Sequence, residues 1–296
     1  MKEYLTWFLD EFDYPEFSKK SLLDCYEKIA KCDTTYPLVC QMLDEYERDI
    51  NFNPDDFIPK MQRIAQTLNI SNYTVDLLVL ILMTKHLKKV YEREGVNEEI
   101  WRTGVMDLKY KDTECTLIHG VSGTFVTWWF YRFLNFTRFA FHKLQFQIVP
   151  FKGEYDKDGL SLREGDSVIE VHIPRTGTRL DRESLLLSYK CASEFFQSRF
   201  NQRPVFVCAS WLLYPENKNM LKPGSNLLAF MNDYDIIRWE NYENYDQRWR
   251  LFDTMEEDID RLPSDTSFRR SYIERMRNGL PLGWGYGVLD YDKLNN

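Results

Sequence analysis

Apolar residues recur at helical spacing through the first 134 residues. Leu22, Leu23, Tyr26 and Ile29 form one stripe and predict a helix over residues 18–30. Pro37 suits the first turn of a second helix, which carries Val39, Met42, Leu43 and Tyr46 on one side. Asn53-Pro54-Asp55-Asp56 reads as a third start: a capping amide, a proline in the first turn and two acids at the positive helix end. Ile58, Met61, Ile64, Ala65 and Leu68 supply its apolar stripe. Residues 75–83 are apolar nearly all round, the mark of a centrally buried helix, and the run is too short to cross a bilayer. Residues 85–94 carry it into solvent, and Gly95 is its stop. A further helix is predicted over residues 98–109. Residues 115–133 read as another, whose Gly120 and Gly123 let a second backbone or a ligand come close.

The period changes near Asn135. Ala140, His142, Leu144, Phe146 and Ile148 share one parity, which predicts a strand over residues 138–149. Residues 153–159 make a polar turn, 160–164 a short strand, Gly165-Asp166 a second turn and 168–173 the next strand. A helix follows over residues 180–200. Strands are predicted over residues 204–213 and 226–231, with 236–239 as extension or partner of the latter. Two helices, around residues 245–259 and 267–277, precede a returning strand over residues 282–289 that holds Gly283, Gly285 and Gly287. The fold class is mixed α+β and α/β: a mainly helical domain over residues 1–134, then a mixed β-sheet with flanking helices over residues 135–296. No internal repeat or low-complexity linker interrupts the chain.

Composition narrows the partners. The formal net charge is −8, whereas a general binder of phosphate backbones needs an excess of Lys and Arg, so nucleic acid is not expected. Aromatic residues make up 16% of the chain. Their densest run is Trp128, Trp129, Phe130, Tyr131, Phe133, Phe136, Phe139 and Phe141. It reads either as the seam between the two halves or as a wall for an acyl chain or an aromatic acceptor. The N-terminus carries acids where a secretory signal needs an apolar core. The longest stretch without a charged side chain, residues 115–131, is broken by Thr, Ser, Gly and His119, a poor membrane span. A soluble cytoplasmic protein is expected. Cys25, Cys32, Cys40, Cys115, Cys191 and Cys208 include no C-x-x-C pair and no Cys/His ligand spacing, so reduced thiols and no metal are expected.

Chemistry concentrates after residue 168. In Val168-Ile169-Glu170-Val171-His172-Ile173, alternation puts Glu170 and His172 on one face, about 7 Å apart by strand rise. An acid and an imidazole so placed suit proton transfer; a polar face covered by a neighbour is the alternative. Next comes the loop Pro174-Arg175-Thr176-Gly177-Thr178, in which Gly177 permits a tight turn and Asp181 is a good cap for the helix that follows. Helix-start amides with Arg175 and Arg179 suit a phosphate or pyrophosphate, and an ordinary connection with solvated arginines is the alternative. Leu185, Tyr189, Ala192, Phe196 and Phe200 form the stripe that packs this helix on the sheet. Phe206, Cys208 and Ser210 share one face of the strand over residues 204–213. If that strand lies beside residues 168–173, Ser210 reaches the same end of the sheet as a hydrogen-bonding wall. It lacks the G-x-S-x-G elbow of a hydrolase nucleophile. His119 and His142 read as structural, and the acidic run over residues 256–260 as a solvated helix face.

Taken in order, Val171-His172-Ile173-Pro174, then Gly177, Ser210-Trp211-Leu212-Leu213-Tyr214-Pro215 and Gly224-Ser225-Asn226-Leu227-Leu228-Ala229-Phe230 resemble a bacterial two-domain acyltransferase family. The upstream His119-Gly120-x-x-Gly123-Thr124-Phe125 is similar to its N-terminal half. The family has a helical N-acyltransferase N-terminal domain and a GNAT-like C-terminal domain. The resemblance implies that backbone around residues 168–173 contacts pantetheine. It implies that Ile173, Pro174, Arg175, Thr176, Gly177 and Thr178, with the helix after them, hold the pyrophosphate of an acyl-coenzyme A. A small-molecule amine would attack the thioester directly, with Glu170 or His172 as base and Ser210 or Tyr214 steering or protonating the thiolate. The usual GNAT loop reads Q/R-x-x-G-x-G/A; here Gly177 stands one residue early and no second glycine follows. That departure keeps open a non-catalytic ligand- or partner-binding protein on a GNAT-like fold. A hydrolase built on Cys208 or Ser210 is a third reading.

Overall fold

The computed structural model describes residues 1–243 and 248–294. Its first unit, Met1–Phe139, is built from α1 (Lys2–Glu11), α2 (Glu16–Ala30), α3 (Tyr36–Arg48), α4 (Ile58–Leu68), α5 (Asn72–Arg93), α6 (Glu98–His119) and α7 (Thr127–Leu134). Each of the other helices contacts α5, which is why residues 77–83 are apolar and buried all round. Asn53 caps as predicted, accepting from Asp55 N at 3.2 Å, but it closes a short 3-10 turn, Pro54–Asp56, ahead of α4. Of the ring-rich run, Phe130, Tyr131, Phe133 and Phe139 are buried and Trp128 is exposed. Among the described residues, no helix is long and apolar enough to cross a membrane.

Residues 115–133 are not one helix. α6 runs on to His119 and stops at Gly120, whose φ of 70° is the left-handed cap. The chain then folds back onto the start of α5: Thr124 N donates to Tyr73 O at 3.0 Å, and Thr74 Oγ1 to Ser122 O at 2.6 Å. A Cβ on Gly123 would lie 2.4 Å from the Tyr73 carbonyl carbon, so the close approach expected of this glycine is to backbone. The buried Asp112 accepts from Ser122 Oγ at 2.6 Å and Gly123 N at 2.8 Å, which ties the turn to α6.

The second unit, Ala140–Asn296, follows a boundary that falls inside β1 (Arg138–Phe141). It continues through β2 (Leu144–Pro150), β3 (Tyr155–Lys157), β4 (Leu160–Leu162), β5 (Ser167–His172), α8 (Arg182–Phe200), β6 (Val205–Ser210) and α9 (Asn226–Asn232). Then come β7 (Asp235–Asn241), α10 (Arg248–Phe252), α11 (Ser267–Arg277), β8 (Gly283–Asp290) and α12 (Tyr291–Leu294). The main sheet has the order β1-β2-β5-β6-β8-β7, and β3-β4 form a separate hairpin. β5 and β6, joined through α8, are a parallel pair. α8 buries Leu185, Tyr189, Ala192 and Phe196 against the face that carries Phe146 and Phe206, while Phe200 at its end is exposed, against expectation.

Several boundaries differ for physical reasons. The strand expected over residues 138–149 is a hairpin, turned at His142 with φ of 52°. Residues 226–231 are helical because Ser225 caps them, accepting from Leu228 N at 3.3 Å; a short apolar run has no decisive period. Of the helix expected over residues 245–259, positions 245–247 lie outside the described residues. The helical part, α10, ends before Asp253, at φ of 61°. The acidic run after it is loop and a 3-10 turn, Ile259–Arg261, not a helix face.

The strand expected to reach residue 213 ends at Ser210, and Trp211–Leu213 form a 3-10 turn that crosses β8. The alternating glycines of β8 make that crossing fit. A Cβ on Gly285 would sit 2.3 Å from Leu213 O, and one on Gly283 2.6 Å from the Tyr214 ring. Gly285→Ala should cost about 2–3 kcal/mol in urea unfolding, because the obstructing atom is backbone. In the helical unit, burial pushes the Asp76 carboxyl from 3.8 up to about 6, against the Thr127 hydroxyl that donates to it at 2.6 Å. The folded value lies above the unfolded one. Stability from protonated Asp76 is therefore full below pH 3.8 and lost as pH rises through about 6. Asp76→Asn should flatten part of the fall in Tm between about pH 4 and about pH 7.

Candidate functional site

The main sheet keeps its register on either side of its centre and loses it at the centre. β2 and β5 pair from Pro150↔Ser167 through to Gln145↔His172. β6 and β8 pair from Val205↔Asp290 through to Ser210↔Gly285. Between these pairs, β5 and β6 are in register only at Ile169↔Phe206 and Glu170↔Val207, although β5 runs on to His172 and β6 to Ser210. Among the described residues, no further pair joins the two strands beyond Glu170↔Val207 toward their C-terminal ends. Strand ends beyond the last ladder pair leave room for an extended molecule alongside, a split in the ladder. Open sheets with parallel strands bind ligands at that end, and an extended molecule can hydrogen-bond along an open strand edge.

Glu170 and His172 stand beside the split on one face, as strand alternation predicts. His172 Nε2 lies 3.3 Å from Glu170 Oε2, and both side chains are half-buried. Across β2, Gln147 is the register partner of Glu170 and Gln145 that of His172. Gln147 Nε2 donates to the same Oε2 at 2.7 Å. Sequence reasoning missed these glutamines. Their signal is Leu144-Gln145-Phe146-Gln147-Ile148, apolar on one parity and amide on the other. The floor of this face is apolar, with Val168, Val205, Val207 and Val288 in one buried cluster with Tyr286. Burial, with Glu170 adding to it, pushes the Tyr286 hydroxyl up to about 12, so it stays a protonated phenol. The arrangement is a carboxylate–imidazole pair on a partly desolvated face, which can accept and hold a proton. Among the described residues no His/Cys/Asp/Glu group could hold a metal ion.

The loop after β5 leads to α8. Ile173, Pro174, Arg175 and Thr176 are half-buried; Gly177 and Thr178 are exposed. Gly177 has φ of 73°, which accounts for glycine there. Thr176 N donates to Pro174 O at 3.0 Å and Thr178 N to Thr176 Oγ1 at 3.3 Å. Asp181 caps α8, accepting from Ser184 N at 2.9 Å, and that bond first, with Lys143 to a lesser degree, holds its carboxyl below the usual range. Arg175 is not a solvated cation: it pairs with Asp253, whose other oxygen holds Arg269 at 2.6 Å. Lys143, from the β1–β2 turn, donates to Thr178 Oγ1 and brings a positive charge that sequence reasoning did not place here.

Ser210 ends β6 beside β5, on the face it shares with Phe206 and Cys208. Glu170 is aligned with Val207, so Ala209 shares its face, and Ser210 points to the side of Phe206 and α8. Its hydroxyl oxygen accepts from Leu212 N at 3.2 Å and caps the 3-10 turn. Tyr214 is buried and donates to Asn241 Oδ1 at 2.7 Å. Cys208 is buried and its thiol is pushed up by burial, with Glu170 adding, which removes the thiolate a cysteine hydrolase needs.

Residues 139–289 match the family model of the GNAT-like C-terminal domain, and residues 3–136 that of the N-acyltransferase N-terminal domain. The chain belongs to the GNAT-like C-terminal domain family. No curated protein matches it in sequence. Among solved structures it is similar to an acyltransferase in complex with decanoyl-CoA, with a TM-score of 0.73 and 16% identity over 95% of this chain and 86% of that one. It is similar also to an acyltransferase mutant in complex with octanoyl-CoA, with a TM-score of 0.72 and 18% identity over 95% of this chain and 86% of that one. A third similar structure, an acyltransferase in complex with decanoyl-CoA and teicoplanin, has a TM-score of 0.72 and 18% identity over 96% and 86%. At these identities the likeness shows the acyltransferase fold. In this GNAT-like domain the split, the polar face and the loop all lie on β5, its flanking strands and the start of α8. Tyr214→Phe removes the bond to Asn241 and should cost about 1 kcal/mol in urea unfolding with the fold retained.

Proposed function

We propose that the protein transfers an acyl group from a coenzyme A thioester to a small-molecule amine. The observation that carries this is the split between β5 and β6 beside Glu170 and His172. An extended pantetheine arm can hydrogen-bond to backbone at residues 171–173, as an added strand would. The loop from Ile173 to Thr178, with Pro174, Arg175, Thr176 and Gly177 between, then lies toward the pyrophosphate. We assign its charge recognition to loop amides and Lys143 in addition to Arg175, which is already paired with Asp253. Similar structures bound to decanoyl-CoA and octanoyl-CoA support the donor class.

In the transfer, the amine nitrogen attacks the thioester carbonyl, a C–N bond forms and the C–S bond breaks. His172 accepts the proton lost by nitrogen, and Glu170 stabilises the imidazolium. The leaving thiolate takes a proton from a hydroxyl or water. Ser210, at the end of β6, is the hydroxyl we place at the mouth of the split, and Tyr214 ties the segment after β6 to β7 through Asn241.

A non-catalytic module is favoured by one observation, the Arg175–Asp253 pair in a loop whose glycine is displaced. Calorimetry with acetyl-, octanoyl- and decanoyl-coenzyme A separates the readings, together with thiol release in the presence of primary amines. His172→Ala should keep donor affinity within a few-fold and lower the transfer rate by about 100-fold or more. No binding across the donor panel would exclude the transfer reading. Binding with no thiol release by the wild-type protein would favour the module.

A further inference from the structure

Two side-chain nitrogens lie near one oxygen of Glu170. Gln147 Nε2 is 2.7 Å away and His172 Nε2 3.3 Å. The amide contact sits at the short end of the hydrogen-bond range and the imidazole contact beyond its usual length. The carboxylate is therefore held more closely by the glutamine than by the histidine. Gln147 and Glu170 are register partners on antiparallel strands, so their side chains rise from the sheet about 5 Å apart. A half-buried carboxylate with free torsions could turn toward either neighbour or toward solvent. With one oxygen fixed by an amide across the ladder, it presents that oxygen to position 172.

We propose that Gln147 is a positioning residue for the Glu170–His172 pair: its amide fixes the Glu170 carboxylate, which in turn fixes the His172 ring with Nε2–H toward it. The purpose of this device rests on the acyl-transfer reading above. In the neutral ring, holding the proton on Nε2 places the lone pair on Nδ1, the nitrogen that then accepts the amine's proton. Gln147 acts through Glu170. Its loss should change the tautomer before it changes donor affinity.

The test is long-range proton–nitrogen NMR of the intact protein, which has four histidines. His172→Ala identifies the His172 resonances. In the wild type at a pH where the ring is neutral, the two ring nitrogens should be widely separated, with the proton on Nε2. In Gln147→Met, and in Gln147→Val should the first variant fold poorly, the two resonances should move toward each other as the tautomers mix. Glu170→Gln should alter them as well. His172 resonances that stay at their wild-type positions in the folded Gln147 variants would overturn the proposal, as would a wild-type ring protonated on Nδ1. The spectra are recorded without donor, so a failure to bind decanoyl-coenzyme A, which would sink the transfer reading, leaves this result standing.

Discussion

Two β-strands cannot follow diverging neighbours and stay paired with each other. β5 follows β2 through Gln145↔His172, and β6 follows β8 through Ser210↔Gly285. The parallel contact between them is satisfied at Glu170↔Val207 and given up beyond it. Backbone polar groups are obligatory hydrogen-bonding groups, so at this opening a strand edge left by its neighbour can pair with an extended ligand. The residues proposed for function in this half of the chain lie around that opening. The strand end carries His172, the loop after it carries Gly177, and the turn after β6 lies over the glycines of β8.

The electrostatics of the opening follow from its two sides. One face of β5 is apolar and covered by α8 through Phe146, Phe206 and Tyr189. The other carries Glu170 and His172 above a floor of valines, with Gln147 opposite. Partial burial raises the value of each polar contact there, because an unpaired carboxylate on that floor would be costly. Toward the loop the balance changes. Arg175 and Arg269 share Asp253, and Lys143 reaches Thr178, so cationic charge gathers beside the exposed Gly177.

Much of this was legible in the sequence, and the limits have physical causes. The order strand, glycine loop, capped helix over residues 168–200 could be read because β-branched alternation, Gly177 and Asp181 are all local signals. The shared face of Glu170 and His172 follows from a period of two. The glutamines were not found, because their place opposite those residues depends on a hairpin turned at His142, a non-glycine with positive φ. The face Ser210 shares with Phe206 and Cys208 was legible from its parity along β6, but which face of β5 that matches was not, because the alignment of the two strands is not local. Asn226 through Met231 gave too short an apolar run to tell helix from strand, and the cap at Ser225 decided it. The alternation of Gly283, Gly285 and Gly287 was visible, but its cause, a turn crossing over β8, is a tertiary fact.

The central claim is that the opening between β5 and β6 receives the donor. A crystal structure of the protein with bound decanoyl-coenzyme A tests it most directly. The account predicts the pantetheine arm running between the two strands past Glu170 and Val207, hydrogen-bonded to backbone at residues 171–173, with the thioester toward His172 and the phosphates at the loop before α8. A donor bound elsewhere, or β5 and β6 zipped together by further ladder pairs beyond Glu170↔Val207, would contradict it.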